Sequence, residues 1–140
     1  MNASNASSAI IGTVLKHYPA TQAIYLFGSY GTADEWPDSD IDVALLLPPR
    51  QAKEECNFAV SQCRLALADC LRKDVDLVNA RQVSTVLQKE IITKSRLLYC
   101  ADQYALDEFE MLVLSYYQKL NEERSELLKS FSETGRAYAV

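Results

Sequence analysis

The sequence predicts a small mixed α/β domain, and three observations carry that reading. Short apolar runs alternate with segments of helical periodicity, which is the pattern of strands packed against helices. About half of the 140 residues are apolar, enough for a substantial core without staples. Prolines fall between the runs, at Pro19 and at Pro48-Pro49, rather than within them.

The elements follow in order. Ser7 or Ser8 caps a first helix running to about His17, with 1–8 as a flexible lead-in and Pro19 as the stop. Ala23 to Phe27 is a first strand, and Tyr30 to Ala33 a short helical turn. Ile41 to Leu47 is a second strand, ended by Pro48-Pro49. Gln51 to Leu71 reads as one helix, because Cys56, Val60, Cys63, Leu67 and Cys70 fall on one stripe. Asp74 to Val78 is a third strand, Ser84 to Lys94 a helix with apolar Val86, Leu87, Ile91 and Ile92, and Arg96 to Cys100 a short edge strand. A last helix covers 103–131, with Leu106, Phe109, Val113, Tyr116, Leu120, Leu127 and Phe131 at helical steps and Arg124 as the polar exception. It would be about 43 Å long, against about 35–40 Å for a compact domain of this size. It either bends over its own core or leaves part of its stripe to a partner. No repeat or low-complexity linker divides the chain, so 1–140 is read as one domain.

Bulk properties exclude several functions. Net charge is −5 and the pI is about 4.9. No basic cluster exceeds Arg72-Lys73, which disfavours direct nucleic-acid binding or a membrane surface. No run approaches the ~20 apolar residues of a membrane span. Met1 to Ser8 lacks the pattern of an export leader, so the expected location is cytoplasmic. Cysteines seven apart on a helix lie roughly 10 Å apart along its axis, too far for a disulfide or a shared metal. They read as small core hydrophobes.

The chemistry concentrates between the first two strands. Gly28-Ser29 ends the first, ten residues follow, and Asp40-Ile41-Asp42 opens the second. Residues two apart on a strand share a face, about 6.5–7 Å apart. Asp40 and Asp42 therefore face one way, while Ile41, Val43, Leu45 and Leu47 face the core. Paired carboxylates repel unless a cation lies between them, and Mg²⁺ takes such oxygens together with substrate phosphates. Glycine lets backbone N–H groups approach a phosphate, and the serine hydroxyl can donate to one. On the third strand, Asp76 lies between Val75 and Leu77, which turn the opposite face inward. A strand adjacent to the second would bring Asp76 beside Asp40 and Asp42, as phosphoryl or nucleotidyl transfer requires.

These residues resemble the signature of the nucleotidyltransferase superfamily that includes polymerase beta. With one short domain, the chain resembles its minimal nucleotidyltransferases, and more narrowly the MntA-like antitoxins that partner HEPN-type RNase toxins. The likeness covers Ala23 to about Asn79. Beyond it, only Leu97-Leu98-Tyr99 and the final helix match in pattern. The resemblance implies a polymerase-beta-like nucleotidyltransferase fold and use of ATP with Mg²⁺. It also implies transfer of AMP to a tyrosine hydroxyl of the toxin, which blocks its RNase activity. Gly28 and Ser29 would hold the triphosphate, Asp40 and Asp42 would ligate metal, and Asp76 would be the third carboxylate.

One departure stands out. Family members often carry a basic residue and then a second glycine after Gly-Ser, whereas this turn reads Tyr30-Gly31-Thr32-Ala33. Triphosphate charge would then fall to the metal or to a basic residue elsewhere, such as Arg50, Lys53 or Arg81. His17, the only histidine, reads as a helix-end residue. Trp36 reads either as an adenine platform or as a cover over its turn. Two rival functions remain: an aminoglycoside-type small-molecule nucleotidyltransferase, and a non-catalytic module that neutralises a partner by occlusion.

Overall fold

A computed structural model describes residues 3–27, 41–55 and 61–134. Its elements are α1 (Ala3–His17), β1 (Ala23–Phe27), β2 (Ile41–Leu46), α2 (Pro49–Glu54), α3 (Gln62–Leu71), β3 (Val75–Asn79), α4 (Thr85–Lys94), β4 (Arg96–Cys100) and α5 (Gln103–Thr134). The four strands form one mixed sheet in the order β3-β2-β1-β4. β1 pairs antiparallel with β2 and with β4, while β2 and β3 are parallel.

The strand alternation divides the core into two layers. Ile41, Val43 and Leu45 of β2 meet Ile10 and Val14 of α1 and Cys63 and Leu67 of α3. On the other face Ala44 and Leu46 meet Ile91 of α4 and Leu106, Phe109 and Val113 of α5. Both faces are covered, so β1 and β2 are buried almost throughout.

Three boundaries differ from the sequence reading. α1 begins at Ala3, so residues 3–8 are helical rather than a loose lead-in. Ala3, Ala6 and Ala9 are strong helix formers, and the anchored Ile10 and Val14 let the helix propagate back through them. The single helix over 51–71 is two helices. Pro49 at the first turn starts α2 immediately after β2, and the chain turns extended at Glu55 (φ −90°, ψ 96°). Asn79 of β3 explains the stop: its buried Nδ2 donates to the carbonyls of Ala52 (2.8 Å) and Glu55 (3.3 Å), which a continuing helix would have used itself. α3 then restarts at the Ser61 cap, whose hydroxyl accepts from the Arg64 N–H (3.2 Å). The cysteine stripe breaks with the helix. Cys63 is in the core but Cys70 is exposed, and Cys56 and Val60 lie outside the described residues.

α5 does not bend over the core. Leu106, Phe109 and Val113 are buried, whereas Tyr116, Leu127 and Leu128 are exposed. β1, β3, α4 and β4 match expectation to within a residue or so, with the Ser84 hydroxyl capping α4, and the expected turn at 30–33 lies outside the described residues. No described helix is long and apolar enough to cross a membrane.

Candidate functional site

The sheet register builds the site. Asp42, second residue of β2, is paired with Phe27 at the end of β1 on one side and with Asp76 of β3 on the other. Paired residues on adjacent strands share a face and lie about 4.8 Å apart. The two carboxylates therefore stand side by side on the face that α4 and α5 cover farther along, at Ala44 and Leu46. The alternation of buried Ile41 and Val43 around half-buried Asp42, and of buried Val75 and Leu77 around exposed Asp76, fixes both side chains on that face. Ile41 N–H donating to the Asp74 carbonyl (2.9 Å) closes the ladder just before the pair.

Gly28, Ser29 and Asp40 lie outside the described residues, as do Trp36 and the turn at 30–33. Phe27 and Ile41, which flank that segment, end at the same edge of the sheet as Asp42. Among the described residues no group of three His, Cys, Asp or Glu could hold a metal ion. Asp42 and Asp76 are nevertheless a fitting donor pair for a hard divalent cation: two carboxylates, adjacent, one of them open to incoming phosphate oxygens. Without a cation, like charges opposed on neighbouring strands are destabilising.

The three basic residues singled out from the sequence lie elsewhere. Arg81 donates from Nε to the Leu47 carbonyl (2.6 Å) and from Nη2 to Gln22 Oε1 (2.7 Å), and its guanidinium lies 5.6 Å from the Phe109 ring centroid. Leu47 and Gln22 mark the opposite end of the sheet, about 17 Å from Asp42 at the rise of a strand. Burial pulls the Arg81 pKa down, with the charge of Glu108 acting against it. Arg50 and Lys53 belong to α2, which follows that same end, and exposed Arg50 pairs loosely with Glu54 (3.9 Å).

The cations at the carboxylate end come from elements the sequence reading passed over. Lys73 lies two residues before the first residue of the strand that carries Asp76. Arg96 pairs in register with Leu26, one residue from Phe27. Arg64 reaches the Val75 carbonyl (3.5 Å) at the outer edge of β3, with its Nε buried and unpartnered. The missing signal was strand direction. Residues before β3 and at the start of β4 reach the Asp42 end only because β3 is parallel to β2 and β4 antiparallel to β1.

Residues 10–104 match the polymerase beta nucleotidyltransferase domain, about two-thirds of the chain. The chain belongs to the polymerase beta nucleotidyltransferase family. Members of this family are generally divalent-metal dependent. Within the family the chain is 38% identical over 120 residues to the protein adenylyltransferase MntA of Shewanella oneidensis, covering 85% of this chain and 82% of that one. Among solved structures, it resembles a chain of a toxin–antitoxin complex with AMP-PNP (TM-score 0.74, 33% identity, 90% of this chain and 98% of that chain). It also resembles a chain of the complex between a tri-AMPylated Shewanella oneidensis HEPN toxin and its MNT antitoxin. There the TM-score is 0.72 at 32% identity, over 92% of this chain and 98% of that one.

Other residues outside the site are structural. His17 Nδ1 donates to the Thr13 carbonyl one turn back (3.0 Å). Tyr25 donates its hydroxyl to Glu110 (3.0 Å), tying β1 to α5, and burial, then the Glu110 charge, push its pKa far up.

Proposed function

We propose that this nucleotidyltransferase is an antitoxin that transfers AMP from ATP to a tyrosine hydroxyl of a HEPN-type RNase toxin and so neutralises it. The observation that carries the reading is the pairing of Asp42 with Asp76 at one open end of the sheet. The likeness to MntA and to the chain in complex with a tri-AMPylated HEPN toxin supports the choice of a protein acceptor.

In this reading Asp40, Asp42 and Asp76 hold Mg²⁺, which when bound neutralises phosphate charge and the charge developing on the leaving group. Gly28 and Ser29 hold the triphosphate by backbone N–H and hydroxyl donors. Asp76, the more exposed carboxylate, takes the proton of the incoming tyrosine hydroxyl. The phenolic oxygen forms a bond to the α-phosphorus, the α–β phosphoanhydride breaks, and pyrophosphate leaves with its electron pair. The absence of a basic residue after Ser29 leaves the triphosphate to the metal and to the cations at the carboxylate end. Location in the cytoplasm, where ATP and Mg²⁺ are available, belongs to the same proposal.

The test uses ATP labelled on the α-phosphate, Mg²⁺, and the cognate HEPN-type RNase toxin. Label in the toxin that Asp42→Asn abolishes while the complex persists is the expected result. Label only in a small molecule would point to the aminoglycoside-type activity. Toxin neutralised equally well by Asp42→Asn would overturn catalysis in favour of occlusion.

A further inference from the structure

On α5, Leu106, Phe109, Val113, Tyr117, Leu120, Arg124, Leu127 and Leu128 fall within one stripe about 100° wide. The first three are buried against the sheet. Tyr117 ends the packed part, with Lys89 Nζ 5.1 Å from its ring centroid. From 121 to 130 every residue is exposed, with Leu127 at 52% and Leu128 at 66%. The stripe thus continues, with Arg124 as its polar member, past the point where any described residue of this chain covers it, as interaction surfaces do.

Two candidates for the cover are a second copy and the acceptor toxin. The stripe is nearly symmetric about Arg124, with Leu120 and Leu128 four residues to either side. An antiparallel pairing of two copies centred on it would oppose two Arg124 guanidinium groups. Such a pairing would also bury on the order of 400 Å² per copy from its few large side chains, about half of what a stable interface needs. A toxin that must also present a hydroxyl beside Asp76 adds the rim of the site to the same interface. The comparisons point the same way. The family match ends at residue 104, two residues into α5, so the distal half of this helix lies outside the matched domain. The likeness to the chain in complex with the AMPylated toxin covers 92% of 140 residues and leaves about eleven outside. It therefore includes at least about 21 of the 32 residues of α5.

We infer that the distal half of α5, Leu120 to Leu128, is the docking surface for the acceptor toxin, which covers it with an apolar face bearing an acidic side chain opposite Arg124. This rests on the toxin-directed reading above. Docking there is separate from the carboxylates, so it sets acceptor affinity and not the chemical step.

The test pairs Leu127→Glu/Leu128→Glu with Arg124→Glu, all at exposed positions, and first checks that thermal unfolding matches the wild type. Association with the purified cognate HEPN-type toxin is measured by calorimetry without nucleotide. The expected result is affinity about tenfold or more weaker for the double variant. A smaller loss is expected for Arg124→Glu. Transfer should show a raised KM for toxin with kcat retained, and fluorescent ATP-analogue binding should not change. Affinity within about twofold of wild type in both variants overturns the proposal. So does a wild-type dimer that the double variant makes monomeric without loss of toxin affinity, since a second copy then owns the stripe. A wild-type chain that binds the toxin through α5 but adds no AMP sinks the transfer reading alone and supports the docking surface.

Discussion

Asp42 and Asp76 are costly neighbours. Like charges directly opposite on adjacent strands repel by a few tenths to about 1 kcal/mol, a cost that a bound cation, as proposed above, would offset. Asp76→Asn should therefore raise the melting temperature slightly in EDTA while abolishing AMP transfer. Mg²⁺ with an ATP analogue should stabilise the wild type, which binds them only when folded, and stabilise the variant much less. A variant melting below wild type in EDTA would show that the pair is not strained. Asn79 is the opposite case, a polar side chain kept for structure. Its two bonds to α2 carbonyls make Asn79→Ala destabilising by about 1–3 kcal/mol. Asn79→Asp should be worse, because it sets a carboxylate against two carbonyl oxygens. Urea denaturation of both variants checks the order.

Buried acids give a pH signature at the same scale. Burial pushes the Cys63 thiol up to about 11. It also raises the pKa of Tyr18, with smaller contributions from nearby charge, and drives that of Tyr25 higher still. Each group is an acid whose folded pKa lies above its unfolded value. Its contribution is complete below the unfolded pKa, near 9–10, and is lost as pH rises toward the folded one. Stability should be flat from pH 7 to 8 and fall above about 9, with a shallower fall in Tyr25→Phe. An equal slope in that variant would assign the alkaline loss to other groups. In the native protein a thiol reagent should modify exposed Cys70 and spare Cys63.

At the scale of elements, the two halves of α5 should respond differently to truncation. Phe109→Ala empties a filled core position and should cost about 3–5 kcal/mol. Leu127→Ala should stay within about 0.5 kcal/mol for the isolated chain. Equal costs would mean that the distal half packs on its own domain. The sequence could not distinguish these halves, since an amphipathic stripe looks the same whoever covers it. It did reveal β1, β4 and α4 closely, because short apolar runs, Pro19 and the helical spacing of Val86, Leu87, Ile91 and Ile92 are local signals. It missed the break between α2 and α3 for the converse reason: the residue that stops α2 is Asn79, on a strand 24 residues beyond Glu55.

Seen whole, the described molecule is a mixed sheet with helices on both faces, and Asp42 and Asp76 stand together at one end of it. Asp42 beside Asp76 was legible from the valines and leucines that flank them. The cations of that end were not, since which basic residues arrive there depends on the directions of all four strands. The sheet order predicts that Lys73→Ala, Arg96→Ala or Arg64→Ala will weaken ATP binding and that Arg50→Ala or Lys53→Ala will not. Fluorescent ATP-analogue titrations of the five variants decide this, and a loss confined to Arg50 or Lys53 would refute it.

The parallel pairing of β2 with β3 also sets a clock. Asp42 and Asp76 are 34 residues apart in the chain and meet only when the crossover through α2 and α3 has closed. At about 5–20 residues per second of synthesis, the first carboxylate leaves the ribosome roughly 2–7 s before the second. For that interval the nascent chain carries one carboxylate of the pair without the other, and α5 has yet to be made. The carboxylate pair, and any cation site it forms, therefore exists only after residues 43–76 have been made and have paired with β2.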